Sequence, residues 1–299
     1  MNTLRILIVS QKGGVGKSTL SANLSVWFSE KAYKNTVLLD LDPHGSSSSW
    51  VHSARPSSVF AEHAVLGDFE SRRWLIDCRS RIRKYVAKSE VLVCDLTWTA
   101  AMDAELLHEF DLVVVPTSVS SIELSATIKF IESVGWVFTA KTGIPPTLLI
   151  CPSRVSNEEL KSDPFSKRRF SVPFMLLPPI HYDESVRQLF KKKFVFDVDS
   201  TASKSYSRCA EAVYNAGTIH QQAAASVVVK FSDRRVLATH NTKLSRYMAE
   251  KTNTGGLSNN YSQPNLRRSS MTSSSKKEGQ RSSNLRGLSR ILESVISSK

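Results

Sequence analysis

From Ser10 the chain reads Ser10-Gln11-Lys12-Gly13-Gly14-Val15-Gly16-Lys17-Ser18-Thr19. Apart from Gln11, which stands where a first glycine is usual, the run fits the pattern G-x-x-x-x-G-K-[ST]. Its glycines remove the side chains that would keep backbone N–H groups away from phosphate oxygens. Lys17 supplies a cation for the β and γ phosphates of a nucleoside triphosphate, and the Ser18 hydroxyl a ligand for Mg2+. A helix starting near Thr19 adds the partial positive charge of its N-terminus. Val15 and Thr19 complete the nucleotide-binding stretch. Lys12 is a second cation aimed at the same anion, and phosphate binding alone does not require it.

Two further stretches place carboxylates where a divalent cation and an attacking water would need them. Val37-Leu38-Leu39-Asp40-Leu41-Asp42-Pro43-His44-Gly45 ends an apolar run with two aspartates at i and i+2, and Val91-Leu92-Val93-Cys94-Asp95 ends another with one. A hard anionic oxygen at a strand tip can ligate Mg2+, and a second can orient water.

These groups have to be carried by a sheet. Short apolar runs rich in β-branched residues predict strands at Arg5–Val9, Thr36–Leu41, Val91–Asp95, Leu112–Pro116, Thr147–Cys151 and Pro173–Leu177. Helical spacing is expected at Thr19–Lys31, Ala100–Glu109, Ile122–Thr139 and Ser200–Ala216. Continuous rather than alternating apolar strands imply an α/β fold: a mostly parallel, twisted sheet with helices on both faces. Ligands of such sheets gather at the carboxyl ends of the strands, which is where the loop and the aspartates fall.

Composition bounds the rest. The chain has 299 residues, 41% of them hydrophobic, enough for a sizeable core. Cys78, Cys94, Cys151 and Cys209 show no C-x-x-C spacing and read as buried thiols of a reducing compartment. No apolar run reaches the ~20 residues that span a bilayer, and Gln11-Lys12-Gly13-Gly14 cuts the first apolar run too short for a signal peptide. A cytoplasmic protein is expected. The net charge of +13 is concentrated in residues 219–299, which hold 14 of the 40 Lys and Arg but 4 of the 27 Asp and Glu. The expected organisation is an α/β nucleotide-binding domain over 1–218, a helical extension of uncertain packing over 219–250 and a disordered basic linker over 251–282. A short amphipathic helix follows over 283–299, with Leu285, Leu288, Ile291, Leu292, Val295 and Ile296 along one side.

The order K-G-G-V-G-K-S-T, then V-L-L-D-L-D-P-H-G, then an apolar strand ending in Asp95 resembles the ParA/MinD family of deviant-Walker P-loop ATPases, from about residue 3 to about 217. D-L-D-P-x-G is similar to the ParA branch. The resemblance implies the three-layer P-loop NTPase fold, with ATP and Mg2+ as cofactors. It implies that Lys12 reaches across a nucleotide-sandwich homodimer to the partner's phosphates. Lys17 and Ser18 would serve the nucleotide and the metal, Asp42 would orient the hydrolytic water, Asp40 would support it and share in the metal site, and Asp95 would be the Walker B carboxylate. The segment from Leu177-Pro178-Pro179 to Phe190, with Pro178 as its candidate contact, resembles the loop and helix that contact adenine, and Ser153 and Arg154 would be the second base contact. Two positions depart from the family pattern: Leu96-Thr97-Trp98-Thr99 stands where Thr-Pro-Pro is common, and His44 where glutamine is usual.

The same resemblance implies non-specific DNA binding through basic residues of the C-terminal half. Lys167-Arg168-Arg169 and Arg187 with Lys191-Lys192-Lys193 are the clusters there, and such contacts weaken steeply with salt. Nucleoid association and a ParB-like or cargo-adaptor partner follow, together with slow, partner-stimulated hydrolysis. Two other readings stay open: a MinD-like membrane-cycling positioner with weak membrane contact through 283–299, and a nucleotide-switched docking factor with little turnover.

Overall fold

The computed structural model describes residues 2–67, 73–141, 143–162, 164–166 and 168–240, with side chains to residue 227. The elements in order are β1 (Leu4–Ser10), α1 (Lys17–Glu30), β2 (Thr36–Asp40), α2 (Ser46–Ser53), β3 (Phe60–His63), α3 (Arg73–Val86) and β4 (Val91–Thr97). A 3-10 turn at Ala104–Glu109 leads to β5 (Leu112–Thr117), α4 (Ser121–Phe138), β6 (Thr147–Val155), α5 (Asn157–Lys161), β7 (Met175–Leu176) and β8 (Ile180–His181). Then come α6 (Ser185–Leu189), a 3-10 turn at Val195–Asp197 and the long α7 (Thr201–His240). The helix expected over Ala100–Glu109 is thus a 3-10 turn of its second half, and the strand expected over Pro173–Leu177 is two residues long. The region expected to form a helical extension continues α7 as far as His240. The expected linker and terminal helix lie outside the described residues.

Every strand pairing is parallel, in the order β3-β2-β4-β1-β5-β6-β7, with β8 beside β6. β1, β2, β4, β5 and β6 are buried on both faces, as continuous apolar strands require. Leu7 and Val9 of β1, Leu39 of β2 and Cys94 of β4 enter one core with Trp74, Ile82 and Phe130 of α3 and α4. Ile6 and Ile8, Leu38 and Val93 enter the other with Leu24 and Phe28 of α1, Trp50 of α2 and Cys209 and Val213 of α7. The strand alternation therefore builds three layers.

Alternation also settles where the acids go. Asp40 and Asp95 follow Leu39 and Cys94, so their side chains lie on the α1 and α2 side of the sheet. The register sets Asp40 opposite Asp95, and Asp95 opposite Ile8, two residues before Ser10. The phosphate loop and both carboxylates thus share one sheet edge.

α7 is seated closely. A Cβ at Gly217 would stand 2.6 Å from Leu4 Cδ2, so glycine is what lets the helix cross β1 at this distance. His220 Nδ1 pairs with the Thr147 hydroxyl at 3.0 Å, and the Gln221 side-chain amide donates to the Asn2 carbonyl at 3.0 Å. Among the described residues no helix is long and apolar enough to cross a membrane.

Candidate nucleotide site

Gly14 and Gly16 turn the loop after β1 with φ of 79° and 92°, values that L side chains rarely adopt. Gly16 is the left-handed N-cap of α1, and no side chain caps the helix, so its first N–H groups remain available to an anion. A Cβ at Gly16 would also come within 3.1 Å of Ser153 Oγ. Lys17 opens α1 and is buried, whereas Lys12 is exposed. The carbonyl of Lys12 accepts from the Ser10 hydroxyl at 2.8 Å, while its side chain makes no ion pair among the described residues. Lys12 and Val15 line a narrow pocket with Glu123, Thr127 and Phe130.

A cavity of about 370 Å³ opens in front of the loop, lined by Gly14, Gly16, Lys17, Ser18 and Thr19. Its far wall comes from Ile180–Asp183, Arg187 and Phe190, with Ser46 and Trp50 of α2 along one side. Arg154 crosses the mouth: Nη1 donates to the Gly14 carbonyl and the guanidinium lies 5.8 Å from the Tyr182 ring centroid. Ser153 is buried behind Gly16, so of the two only Arg154 reaches the cavity. Pro178 is not on the wall, which starts at Ile180 because β8 pairs with Ser153 and brings that stretch in instead. A larger cavity, about 750 Å³, lies at the opposite end of the sheet beside Arg5, Asp111 and His220. There Arg5 is already paired with Asp111, and no glycine loop faces the space.

The three aspartates differ sharply in how they are satisfied. Asp40 is fully buried; its Oδ1 accepts from the Asp42 N–H at 3.1 Å, and its Oδ2 from the N–H and hydroxyl of Ser48 at 2.9 and 3.0 Å. It ties the start of α2 to the tip of β2. Asp42 accepts on Oδ1 from the His44 N–H at 3.0 Å and on Oδ2 from the Thr97 hydroxyl. Burial works to raise its carboxyl, but those two bonds and the charge of Lys17 outweigh burial and hold it below the ordinary carboxylate range. Asp95 is fully buried, and among the described residues neither carboxylate oxygen has a partner in hydrogen-bond geometry, although the Ser18 and Ser47 hydroxyls lie near enough to act on it. Burial first, and the charge of Asp40 second, push it up to about 7; Lys17 and the Ser18 and Ser47 hydroxyls pull the other way. An orphaned buried carboxylate beside a serine hydroxyl and facing a phosphate cradle is the donor set that a hard divalent cation completes.

Among the basic clusters, Arg187 belongs to the cavity wall, and Lys191, Lys192 and Lys193 form an exposed turn. That turn is fastened to α2: the Trp50 indole N–H donates to the Lys193 carbonyl at 3.0 Å, and Trp50 meets Phe190 edge-on at 5.2 Å. Arg168 and Arg169 are exposed in the loop before β7, and Lys167 lies outside the described residues. Tyr182 and Phe190 fall in the segment from Leu177 to Phe190 that the sequence offers for the base, whereas Ser46, Trp50 and Thr97 were not among the expected site residues. For Thr97 the signal was present, because it falls in the stretch that departs from the family pattern.

The solved structures most similar in shape include apo McdA from Cyanothece, with TM-score 0.55 and 15% identity over 71% of this chain and 99% of that one. MinD from Pyrococcus horikoshii complexed with Mg-ADP gives TM-score 0.52 and 20% identity over 73% and 98%. A plasmid partition protein from Borrelia burgdorferi bound to AMPPNP gives 0.53 and 17% over 72% and 99%. These likenesses carry the fold. In sequence, the chromosome-partitioning ATPase Soj of Treponema pallidum is 44% identical over 55 residues, 18% of this chain and 21% of Soj, so the match spans about a fifth of that relative. The CobQ/CobB/MinD/ParA nucleotide binding domain matches residues 6–297. With a glycine loop, a buried lysine and strand-tip aspartates assembled at one sheet edge, the chain belongs to the CobQ/CobB/MinD/ParA nucleotide-binding family.

Proposed function

We propose that this protein is a ParA-like ATPase that forms an ATP-dependent sandwich dimer, binds DNA without sequence preference and positions or segregates DNA or a protein cargo. The observation that carries the reading is the division between two lysines. Lys17 is buried in the phosphate cradle, while Lys12 is exposed at the edge of the same loop without an ion pair among the described residues. ATP brings roughly four negative charges into a dimer interface, and burying them is favourable only when cations match them. A lysine supplied by each partner makes association depend on the triphosphate.

Ser18 and Asp95 would hold Mg2+, which, when bound, neutralises charge developing on the phosphates. Asp40 acts as the internal support of the loop, since three donors already occupy its oxygens. Asp42, kept ionised, orients the attacking water. Arg154 and Tyr182 close over the nucleotide, and the Lys191–Lys193 turn supplies phosphate contacts to DNA. Hydrolysis removes the γ-phosphate that both lysines share, so turnover acts as a timer for the dimer.

The test compares Lys12→Ala with Lys17→Ala by light scattering and nucleotide titration. Lys12→Ala is expected to bind ATP as a monomer, and Lys17→Ala to lose ATP binding itself. An ATP-dependent dimer of Lys12→Ala would overturn the role in trans.

A further inference from the structure

The Asp42 carboxylate is held from two directions, and one of them is foreign to its own loop. Oδ1 accepts from His44, two residues on in the same turn, whereas Oδ2 accepts from the hydroxyl of Thr97, the last residue of β4. Thr97 stands opposite Ser10 in the β1–β4 register, at the point where β1 gives way to the phosphate loop. Directly beyond it the Trp98 N–H donates to the Ser10 carbonyl at 3.0 Å, so the end of β4 is tied to the entrance of that loop. The backbone of the Asp42 turn is fixed by a third strand: Nε2 of His63, the last residue of β3, pairs with the Asp42 carbonyl at 2.9 Å. The His63 ring also lies against Gly45, within 2.8 Å of where a Cβ would stand.

A carboxylate on a turn rotates easily about its terminal torsion, whose preferences are broad. Two donors, one on each oxygen, remove that freedom, and each oxygen still keeps a lone pair for water. Threonine suits this task better than serine or asparagine, because its branched Cβ restricts χ1 and the sheet then sets the direction of its hydroxyl.

We propose that Thr97 is a positioning residue for ATP hydrolysis: it sets the plane of the Asp42 carboxylate toward the attacking water, while His63 fixes the backbone that carries it. The proposal rests on the ATPase reading above and adds a residue outside the phosphate loop and outside both acidic motifs. It also gives a role to the departure at Leu96-Thr97-Trp98, where the chain places a hydrogen-bond donor beside the water-orienting acid. Because reacting groups must be aligned to within an ångström, loss of that donor acts on turnover and leaves binding alone.

The experiment compares Thr97→Val, which keeps the shape and deletes the donor, with Thr97→Ser, which keeps the donor, in the full chain. Thr97→Val is expected to lower kcat by about tenfold or more, with KM for ATP and the affinity for a fluorescent ATP analogue within about twofold of wild type. Thr97→Ser is expected to recover turnover to within about threefold, and melting temperatures of all three proteins to agree closely. Wild-type turnover in Thr97→Val overturns the proposal, as does an equal loss in both variants or a loss expressed in KM. If the wild-type protein binds nucleotide without hydrolysing it, the ATPase reading fails on that result alone. Amide exchange over residues 41–45 then judges the clamp: faster exchange in Thr97→Val upholds it, and unchanged exchange overturns it.

Discussion

Asp40 and Asp95 stand opposite each other on neighbouring strands, both fully buried, yet one accepts three well-formed hydrogen bonds and the other, among the described residues, has no donor in good geometry. Two like charges this close in a low-dielectric interior cannot both be comfortable. The unsatisfied one is the side chain that faces Ser18 and Ser47. The site therefore holds its electrostatic cost at the position where a cation would remove it.

Replacing Asp95 by Asn removes the repulsion and the metal ligand together. The nucleotide-free variant is expected to melt higher than wild type by a few degrees, since about 1 kcal/mol corresponds to about 2–4 °C at this size. Its gain in melting temperature on adding ATP with Mg2+ is expected to shrink below that of wild type. Thermal melts of both proteins, with and without ATP and Mg2+, check both halves.

Gly45→Ala is expected to be costly at a single methyl group. The residue has φ of 59°, and a Cβ there would stand 2.8 Å from the His63 ring, which Asp42 holds in place. Left-handed strain and overpacking together amount to about 2–4 kcal/mol. Urea titration reads the stability, and the expected loss of turnover is larger than the fraction unfolded explains.

The seat of α7 is expected to weaken in acid. Burial holds His220 below the ordinary histidine value, Arg5 adds to this, and Asp111 opposes both. The unfolded chain therefore takes up this proton at higher pH than the folded one does. The contribution is complete above the model-peptide value of 6.5 and is lost as pH falls below it. His220→Gln is expected to flatten the fall in stability between pH of about 7.5 and about 5.5, measured by urea unfolding at each pH.

Lys191, Lys192 and Lys193 changed together to Gln are expected to reduce the salt dependence of DNA binding. The slope of log affinity against log salt should drop by about 0.9 for each phosphate contact removed. Fluorescence anisotropy with duplexes of unrelated sequence checks that the loss is uniform. A slope equal to that of wild type would assign the DNA contact elsewhere.

The middle of the sheet is legible because β1, β2, β4, β5 and β6 are near-continuous apolar runs, the pattern of strands buried on both faces, whereas the edge strand β3, Phe60-Ala61-Glu62-His63, lacks it. Thr36–Leu41 and Val91–Asp95 were expected within two residues of β2 and β4. α2 was not legible: Ser46-Ser47-Ser48-Ser49 is a poor helix former, and the helix exists because Gly45 turns into it and Asp40 captures Ser48. Its signal lies in tertiary contacts. α3 is different, since Trp74, Leu75, Cys78, Ile82 and Tyr85 recur at helical spacing and Arg73, Arg81 and Arg83 are exposed. That period is readable in the sequence, although no chemical motif falls on it. The cavity wall at Ile180–Asp183 lies in the segment from Leu177 to Phe190 that the sequence offers, but which of its side chains turn inward depends on a two-residue strand, β8, with no sequence signature of its own.

All four cysteines are free and buried, spread over α3, β4, β6 and α7, and Cys151 and Cys209 touch at 3.7 Å between sheet and helix. The folded protein thus shields every thiol it has from a labelling reagent. Reaction at Cys209 reports the lifting of α7, and reaction at Cys94 the opening of the central sheet, so the chain carries its own chemical clock of local unfolding. A cysteine introduced at an exposed position such as Lys192 would react alone, and a single dye could be placed beside the nucleotide site without removing any native residue but that lysine.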